Sequence, residues 1–532
     1  MIKQLKIDMK DDWFKDTYNY KDFLKPDVLL EYFDKNIVQH NGIYIPSEKL
    51  LLNIPKKNFS IRYALETNIY DRFLYQGYLN ELAPYYDPLL SERVYSHRYQ
   101  TNESKRKNYI FKHPIEQWSK FIGYVRDGLQ SSEKVLLETD IQNYFENIRI
   151  EDLSKTLQEN LKNIQATGIE KIRLRHVIDS LINSLHLWSF NHKNGLPQNR
   201  DTSSFLANMV MNVVDKKMIE GHGYDYHRYM DDIRIVCNDK YEARKALKQL
   251  IIELRKIGLN INSAKTKIID TDHEEYSSLF EDDLDIKRLD NMFRSRSLPV
   301  IMRSFIPLKG YALRQIAEGN TQERGFRFSI NRLTTLAMCS DVNKPDGYFD
   351  EITDAVITEL VEQPFSSDKF MDYLKSVELQ DSHIERIKAL LLNTDQSIYG
   401  WQNYLLWQLL VYKNITDDHL LQQAGQKLSS VSIIAPSDVA GSALYLGAQG
   451  REAEKNIVAD NFQNFNNFFT QRNALIALHE LNYRDIKEKI VNVDPAVIGT
   501  LTRVKCEFNG KYFQEKTPIS WKKIYDEGTS YE

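Results

Sequence analysis

The feature that most constrains this chain is a set of three carboxylates placed where strand-like runs end. Val135-Leu136-Leu137-Glu138-Thr139-Asp140 is a short apolar run closing on an acid, and Ile141-Gln142-Asn143-Tyr144-Phe145 follows as a helix start with two aromatics. Asp231 lies 91 positions after Asp140, in Arg228-Tyr229-Met230-Asp231-Asp232-Ile233-Arg234-Ile235-Val236-Cys237. There, two adjacent acids separate two short strand-like runs, the pattern of a hairpin tip. A carboxylate at a strand end can reach a metal ion, and two or three of them converging from different strands make a site for hard cations.

Composition limits the rest. The chain has 532 residues, 42% hydrophobic and 27% charged, enough to bury a large core and too charged for a membrane protein. At roughly 100–200 residues per domain, about three structural units are expected. The net charge of −4 means that any nucleic-acid contact must rest on local basic surfaces. Cys237, Cys339 and Cys506 are too few and too widely spaced for a disulfide framework or a CxxC zinc knot. With no apolar leader and no apolar run of about 18 residues, the expectation is a soluble cytoplasmic protein with no membrane partner.

Short strand-like runs alternating with amphipathic helices from Lys134 to about Asp270 read as an α/β layer. Thr271 to Asp290 is dense in carboxylates and reads as a solvated linker or exposed helix. After Met292 the chain becomes a series of helix-length segments with caps such as Thr416-Asp417-Asp418, Pro436-Ser437-Asp438 and Asn482-Tyr483-Arg484-Asp485. Helices recurring about every 20 residues from 350 to 492 suit a stack of helical pairs. Val504 to Glu532 reads as a tail or a partner-binding strap. The expected division is 1–130 for an N-terminal segment and fingers, 131–290 for the acid-bearing domain, and 291–532 for a helical C-terminal domain.

Joining a 3′-hydroxyl to a nucleotide α-phosphate is served by two divalent ions about 3.5–4 Å apart, held by oxygen ligands. Tyr229-Met230-Asp231-Asp232 resembles the YxDD box of reverse transcriptases. Asp140 to Phe145 resembles their first catalytic box, and Gly195-Leu196-Pro197-Gln198, with Ser203 and Leu206-Ala207-Asn208, is similar to the LPQG box. Leu254, Gly258-Leu259, Asn262 and Lys265-Thr266 resemble the later palm box, in the family's order. Tyr70-Asp71-Arg72, Leu82 to Asp87 and Tyr95-Ser96-His97-Arg98 are similar to the fingers boxes of the bacterial enzymes. The resemblance covers about residues 60–270. It implies an α+β fold: reverse-transcriptase fingers and a right-hand palm with an antiparallel sheet, followed here by an all-α domain of HEAT-like repeat type.

The resemblance makes Asp140 and Asp231 the principal ligands of two Mg²⁺ ions, with Mn²⁺ as a substitute and Asp232 supporting. Phe145 becomes a steric gate against the ribose 2′-hydroxyl. Gln198 is placed beside the incoming base, Lys265 at the departing pyrophosphate, and Arg72 on the triphosphate. Arg98, Lys105, Arg106, Lys107 and Arg200 are placed on nucleic acid; Arg93 to Lys112 interleaves basic residues with Tyr95, Tyr99, Tyr109 and Phe111, opposed only by Glu103. Asn199 stands where the family carries glycine after Pro-Gln. Asn tolerates left-handed backbone, so the turn is expected to survive, with the Asn199 and Arg200 side chains lining the template path. His222 and His227 flank Asp225, but without a fourth ligand they are given no metal role.

A reverse-transcriptase core, no recognisable thumb and a helical C-terminal half resemble the bacterial abortive-infection and defence-associated reverse transcriptases. The implied partners are dNTPs, an RNA template or noncoding RNA, a DNA product covalently attached in some members, and a second copy of the chain in a homo-oligomer. Tyr18, Tyr20, Tyr44, Tyr525 and Tyr531 are candidate priming hydroxyls, though burial is the commoner fate of a tyrosine. The alternative, from another class, is a catalytically silent palm that binds RNA or protein. An RNA-dependent RNA polymerase is a third reading, opposed by Phe145.

Overall fold

The computed structural model describes residues 1–130, 134–280, 284–507, 512–513 and 518–522. The chain forms two compact units, each assembled from separate segments: Met1–Asp12, Leu24–Leu50 and Leu65–Asp282 in the first, and Trp13–Phe23, Leu51–Ala64 and Asp283–Glu532 in the second. Six strands are described: β1 (Leu50–Pro55), β2 (Ile61–Glu66), β3 (Val135–Asp140), β4 (Asp225–Tyr229), β5 (Asp232–Cys237) and β6 (Lys267–Ile269). β1 and β2 pair as a two-stranded sheet, and the other four form a sheet of order β4-β5-β3-β6. Every pairing in the second sheet is antiparallel.

The first unit is built around that sheet, and the period of two along its strands decides which side chains go where. Val135 and Leu137 of β3, with Ile233, Ile235 and Cys237 of β5, face one core together with Leu206 and Val210 of the Asp201–Lys216 helix and Ala246 and Leu250 of the Lys240–Lys256 helix. Leu136, Val236 and Ile269 face the opposite side, against Phe121, Val125 and Leu129 of the Pro114–Leu129 helix. Tyr276, Leu279 and Phe280 also pack on this second face, and Arg126 Nε donates to the Leu279 carbonyl at 2.7 Å. The acidic stretch after Asp270 is therefore anchored here instead of solvated throughout: one aromatic-apolar cluster among the carboxylates suffices to cover the sheet. Glu281 to Asp283 lie outside the described residues.

The second unit is helical. Phe305–Ala317, Asp350–Glu362, Asp381–Leu392, Asp418–Ser429 and Glu452–Asp460 pack one on the next as one layer. Arg324–Met338, Ser367–Leu374, Gly400–Tyr412, Pro436–Gln449, Phe468–Ala477 and Thr500–Glu507 form a second. Each helix thus stacks on the next but one in sequence, the organisation of a two-layered helical repeat. Asp417 and Asn482 cap their helices as the sequence suggests. Asp438 does not cap; it is drawn inward, accepting from Trp407 Nε1 at 2.8 Å and Asn403 Nδ2 at 2.9 Å. Gly447 permits a close approach in the stack, since a Cβ there would stand 2.5 Å from the Ala477 Cβ. Among the described residues no helix is long and apolar enough to cross a membrane.

Gly400–Tyr412, Pro436–Gln449 and Phe468–Ala477 of the second layer are buried nearly all round, and the Trp13–Phe23 segment supplies part of the cover. The Trp13 carbonyl accepts from Trp401 Nε1 at 2.8 Å, the Lys15 carbonyl accepts from Tyr404 Oη and Gln408 Nε2, and Phe14 packs edge-on to Phe469. Arg472, 1% exposed, lies between Asp16 and Asp22, with contacts of 2.6–3.2 Å to both carboxylates. Removing a guanidinium from two buried carboxylates leaves charge without a partner. Arg472→Leu is therefore expected to destabilise the protein by about 3–5 kcal/mol in chemical denaturation; a loss under about 1 kcal/mol would show that this segment is not held by charge.

Candidate active site

The antiparallel register pairs Asp140 directly with Asp232 across β3 and β5. By the period of two, Asp140 shares a face with Leu136 and Glu138, and Asp232 with Arg234 and Val236; the Arg234–Glu138 contact at 3.4 Å confirms that these residues lie on one side. Asp231 occupies the turn between β4 and β5, where its carbonyl accepts from the Ile141 amide at 3.3 Å. The structure thus brings the three acids to one end of one sheet. Lys265 joins them, its Nζ 3.2 Å from Asp140 Oδ2 while its side chain stays 64% exposed. Asn262 closes the other side, its amide donating to the Asp140 carbonyl at 2.7 Å and its Nδ2 to Oδ2 at 3.3 Å.

The turn that carries Asp231 is fastened from beneath. Met230 takes a left-handed conformation (φ +56°), which a non-glycine residue holds only when its surroundings fix it. Arg228, fully buried, supplies that fixing: its Nη1 donates to the Met230 carbonyl at 2.8 Å and to Asn208 Oδ1 at 2.8 Å. Its Nε and Nη2 pair with the two Asp215 oxygens at 2.8 and 2.6 Å. Tyr226 donates to the same Asp215 at 2.8 Å. Arg228 and Asp215 were not singled out from sequence; the available signal was a charged residue at an inward-facing position of a strand, matched by an acid on a largely buried helix.

The Pro-Gln segment is stitched to the turn after β3. The Leu196 amide donates to the Phe145 carbonyl at 3.0 Å, the Gly195 amide to the Ile148 carbonyl at 2.9 Å, and Gln198 Nε2 to Glu146 at 3.3 Å. Phe145 is half-buried, packed against the core with its ring 5.3 Å from that of Tyr144. Asn199 has φ +57°, so asparagine does hold the left-handed turn in the absence of glycine. Its side chain donates to the Asp11 carbonyl, which turns it into the protein.

Three of the arginines read as outward contacts are placed inside. Arg72 forms a two-pronged pair with Asp12 at 2.7 and 2.8 Å, and Arg200 bridges Asp12 at 2.9 Å and Glu66 at 2.8 Å. Arg98 spends its donors on Asp87 and on the Ser91 and Val94 carbonyls. Sequence cannot distinguish an arginine that awaits a phosphate from one already matched by a distant carboxylate. Lys105 and Lys107 are exposed near the tip of the hairpin whose arms pair Tyr99 with Phe111, and Arg106 lies over the Tyr99 ring at 5.4 Å. His227 is held by Tyr95 and Asp225. Of the priming candidates, Tyr20 is buried, Tyr18 half-buried, and Tyr44 donates to Asp71 with its hydroxyl acidity strongly suppressed by burial; Tyr525 and Tyr531 lie outside the described residues.

Burial, and then repulsion from Asp140, pushes Asp232 up to about 6. Asp231 is raised by burial, then by Asp140 and Asp232. Three hard oxygen donors that repel each other fit divalent-cation chemistry. Among the described residues no three His, Cys, Asp or Glu side chains close into a ready-made cage, so an ion here would complete its shell with water and substrate oxygens.

The profile of the family described as "Reverse transcriptase (RNA-dependent DNA polymerase)" matches residues 54–279. The chain therefore carries a reverse-transcriptase-type polymerase domain, followed by the helical-repeat unit. No curated protein matches the chain. Solved structures similar to it include the apo telomerase of Candida tropicalis truncated from its C-terminal domain, at 13% identity over 46% of this chain and 56% of that one, TM-score 0.29. The telomerase of Candida albicans in complex with a TWJ fragment of telomeric RNA matches at 11% identity over 88% and 69%, TM-score 0.29. The corresponding complex of Candida tropicalis matches at 14% over 72% and 65%, TM-score 0.30. The chain spans 56% of the length of the first of these structures.

The raised carboxyls set the sign of the pH response. Native Asp231 and Asp232 hold protons that the unfolded chain releases near 3.8, so the stability they contribute is present below that value and lost as pH rises through about 6 for Asp232 and about 7 for Asp231. Without divalent ions, Asp232→Asn is expected to raise stability at pH 7.5 by about 1 kcal/mol and to leave it unchanged at pH 4, read from denaturation midpoints. A destabilised variant at pH 7.5 would contradict the repulsion.

Proposed function

We propose that the chain is a metal-dependent polymerase of the reverse-transcriptase type that makes DNA and acts in bacterial antiphage defence. The observation that carries the polymerase reading is the register that sets Asp140 against Asp232, with Asp231 on the adjoining turn. Asp140, Asp231 and Asp232 would hold two Mg²⁺ or Mn²⁺ ions, which when bound activate the primer hydroxyl and stabilise charge on the phosphates. Arg228 keeps the turn in the geometry that presents Asp231. Lys265, exposed and in contact with Asp140, delivers a proton to the departing pyrophosphate. Phe145, on the turn stitched to the Pro-Gln segment, limits space at the sugar, and Gln198 is held by Glu146 for the incoming base. RNA as template and a nucleic-acid or protein hydroxyl as primer are the expected partners.

The defence role is supported by architecture: a polymerase domain joined to a helical-repeat unit is the arrangement of the abortive-infection enzymes that the sequence resembles. Cells expressing the chain should survive phage challenge better than cells carrying the Asp231→Ala, Asp232→Ala variant; equal protection by both would exclude a role for synthesis in defence.

Purified protein should incorporate labelled dNTPs with Mg²⁺, and Asp231→Ala with Asp232→Ala should reduce incorporation by at least about 10³-fold. Persistent synthesis in that variant would remove the site. Phe145→Ala should raise the ribonucleotide-to-deoxyribonucleotide incorporation ratio by about tenfold or more, measured in side-by-side assays; an unchanged ratio would remove the gating role.

A further inference from the structure

The helical unit carries a cavity of about 260 Å³ remote in sequence from the carboxylate boxes. Its wall joins Trp13, the β1–β2 hairpin through Arg62, and the repeat helices through Arg327, Ser366, Asp368 and Lys369. The lining therefore holds three cations and a single acid. The acid is poorly matched: Lys369 Nζ stands 3.9 Å from Asp368 Oδ2, beyond hydrogen-bond reach. Arg327 is exposed.

The aromatic part of the wall is built and held. Trp401 Nε1 donates to the Trp13 carbonyl at 2.8 Å, fixing the backbone from which the indole projects, and the Arg62 guanidinium lies over that indole at 5.6 Å. The Ser366 hydroxyl is fixed by Thr321 Oγ1 at 2.8 Å. Here the charges share a concave wall with an oriented indole, the combination that binds a planar base through its face and a phosphate through cations. A bare phosphate would leave most of the volume unfilled, and a folded duplex could not enter.

We propose that this cavity binds one nucleotide unit, with the base against Trp13 and the phosphate at Arg327 and Lys369. The unit belongs either to a free nucleoside triphosphate or to a single strand of nucleic acid, chemistry that both share. The inference is independent of the polymerase reading, because none of these residues takes part in the carboxylate cluster.

The test uses the full chain in EDTA, where no synthesis occurs, with an iodouracil-containing oligothymidylate labelled with fluorescein. Photocrosslinking is expected at the peptide containing Trp13, and Trp13→Phe is a conservative variant that should retain it while Trp13→Leu loses it. Arg327→Gln with Lys369→Gln should weaken binding about tenfold and lower the salt slope of the affinity by about one to two. The same pair should leave dNTP incorporation unchanged on a saturating primer–template. Competition of the crosslink by dTTP identifies a free nucleotide as the ligand, and crosslinking that dTTP does not compete identifies a strand; both support the site. Crosslinks only at peptides outside the cavity, or unchanged affinity and salt slope in the glutamine pair, would overturn it.

Discussion

The register of β3 against β5 is the constraint from which the rest of the polymerase domain follows. Side chains alternate along a strand, so a slip of one residue would turn Asp140 to the opposite face and leave Asp232 without its neighbour. Apolar burial specifies that register on both faces. Val135 and Leu137 belong to one core and Leu136 to the other, and a one-residue shift would exchange the two faces. The position of the acids is thus set by the hydrophobic pattern of the strands, a few residues from any chemistry.

The cluster itself works against folding. Burial and mutual repulsion raise Asp231 and Asp232, so charging them near neutral pH costs free energy that the surrounding fold must offset. Part of the compensation lies directly below, where Arg228 meets Asp215, Asn208, Tyr226 and the Met230 carbonyl in a network closed to solvent. Such a network is more valuable for geometry than for net stability, since the desolvation of Arg228 and Asp215 consumes much of their attraction. Its effect is to hold Met230 in a conformation that would otherwise relax and carry Asp231 with it.

Local signals and distant ones were unequally readable in the sequence. The strand runs, the hairpin tip, the helix caps at Asp417 and Asn482 and the tolerance of Asn199 for left-handed backbone depend on neighbouring residues, and the structure shows each of them. The recurrence of helices pointed to paired stacking for the same reason. Arg72, Arg98 and Arg200 were another matter: their partners Asp12, Asp87 and Glu66 are ordinary surface residues by composition, and only the fold places them against guanidinium groups. Arg228 was not singled out, because nothing local to its strand shows that a charged residue there is the centre of a buried network. The acidic stretch was read by its charges, while Tyr276, Leu279 and Phe280 determined its packing.

The helical unit carries the longest-range dependence in the chain. Arg472 pairs with Asp22 across 450 positions of sequence, and Tyr404 and Gln408 close on Lys15 across nearly as many. Helical repeats ordinarily fold through contacts between neighbours, with a cap needed only at the ends. Here three helices of the second layer bury residues on every side, and part of the cover comes from a segment made near the start of the chain. Loop closure over such a distance costs conformational entropy before any contact compensates, so this seam forms late unless the repeats are already ordered. The seam also fixes Trp13 and Arg62 against the repeat helices, so the nucleotide cavity exists only once the helical unit is complete. A chain whose helices had formed without the Trp13–Phe23 segment would keep its repeat stacking, expose Arg472 and lose the aromatic wall.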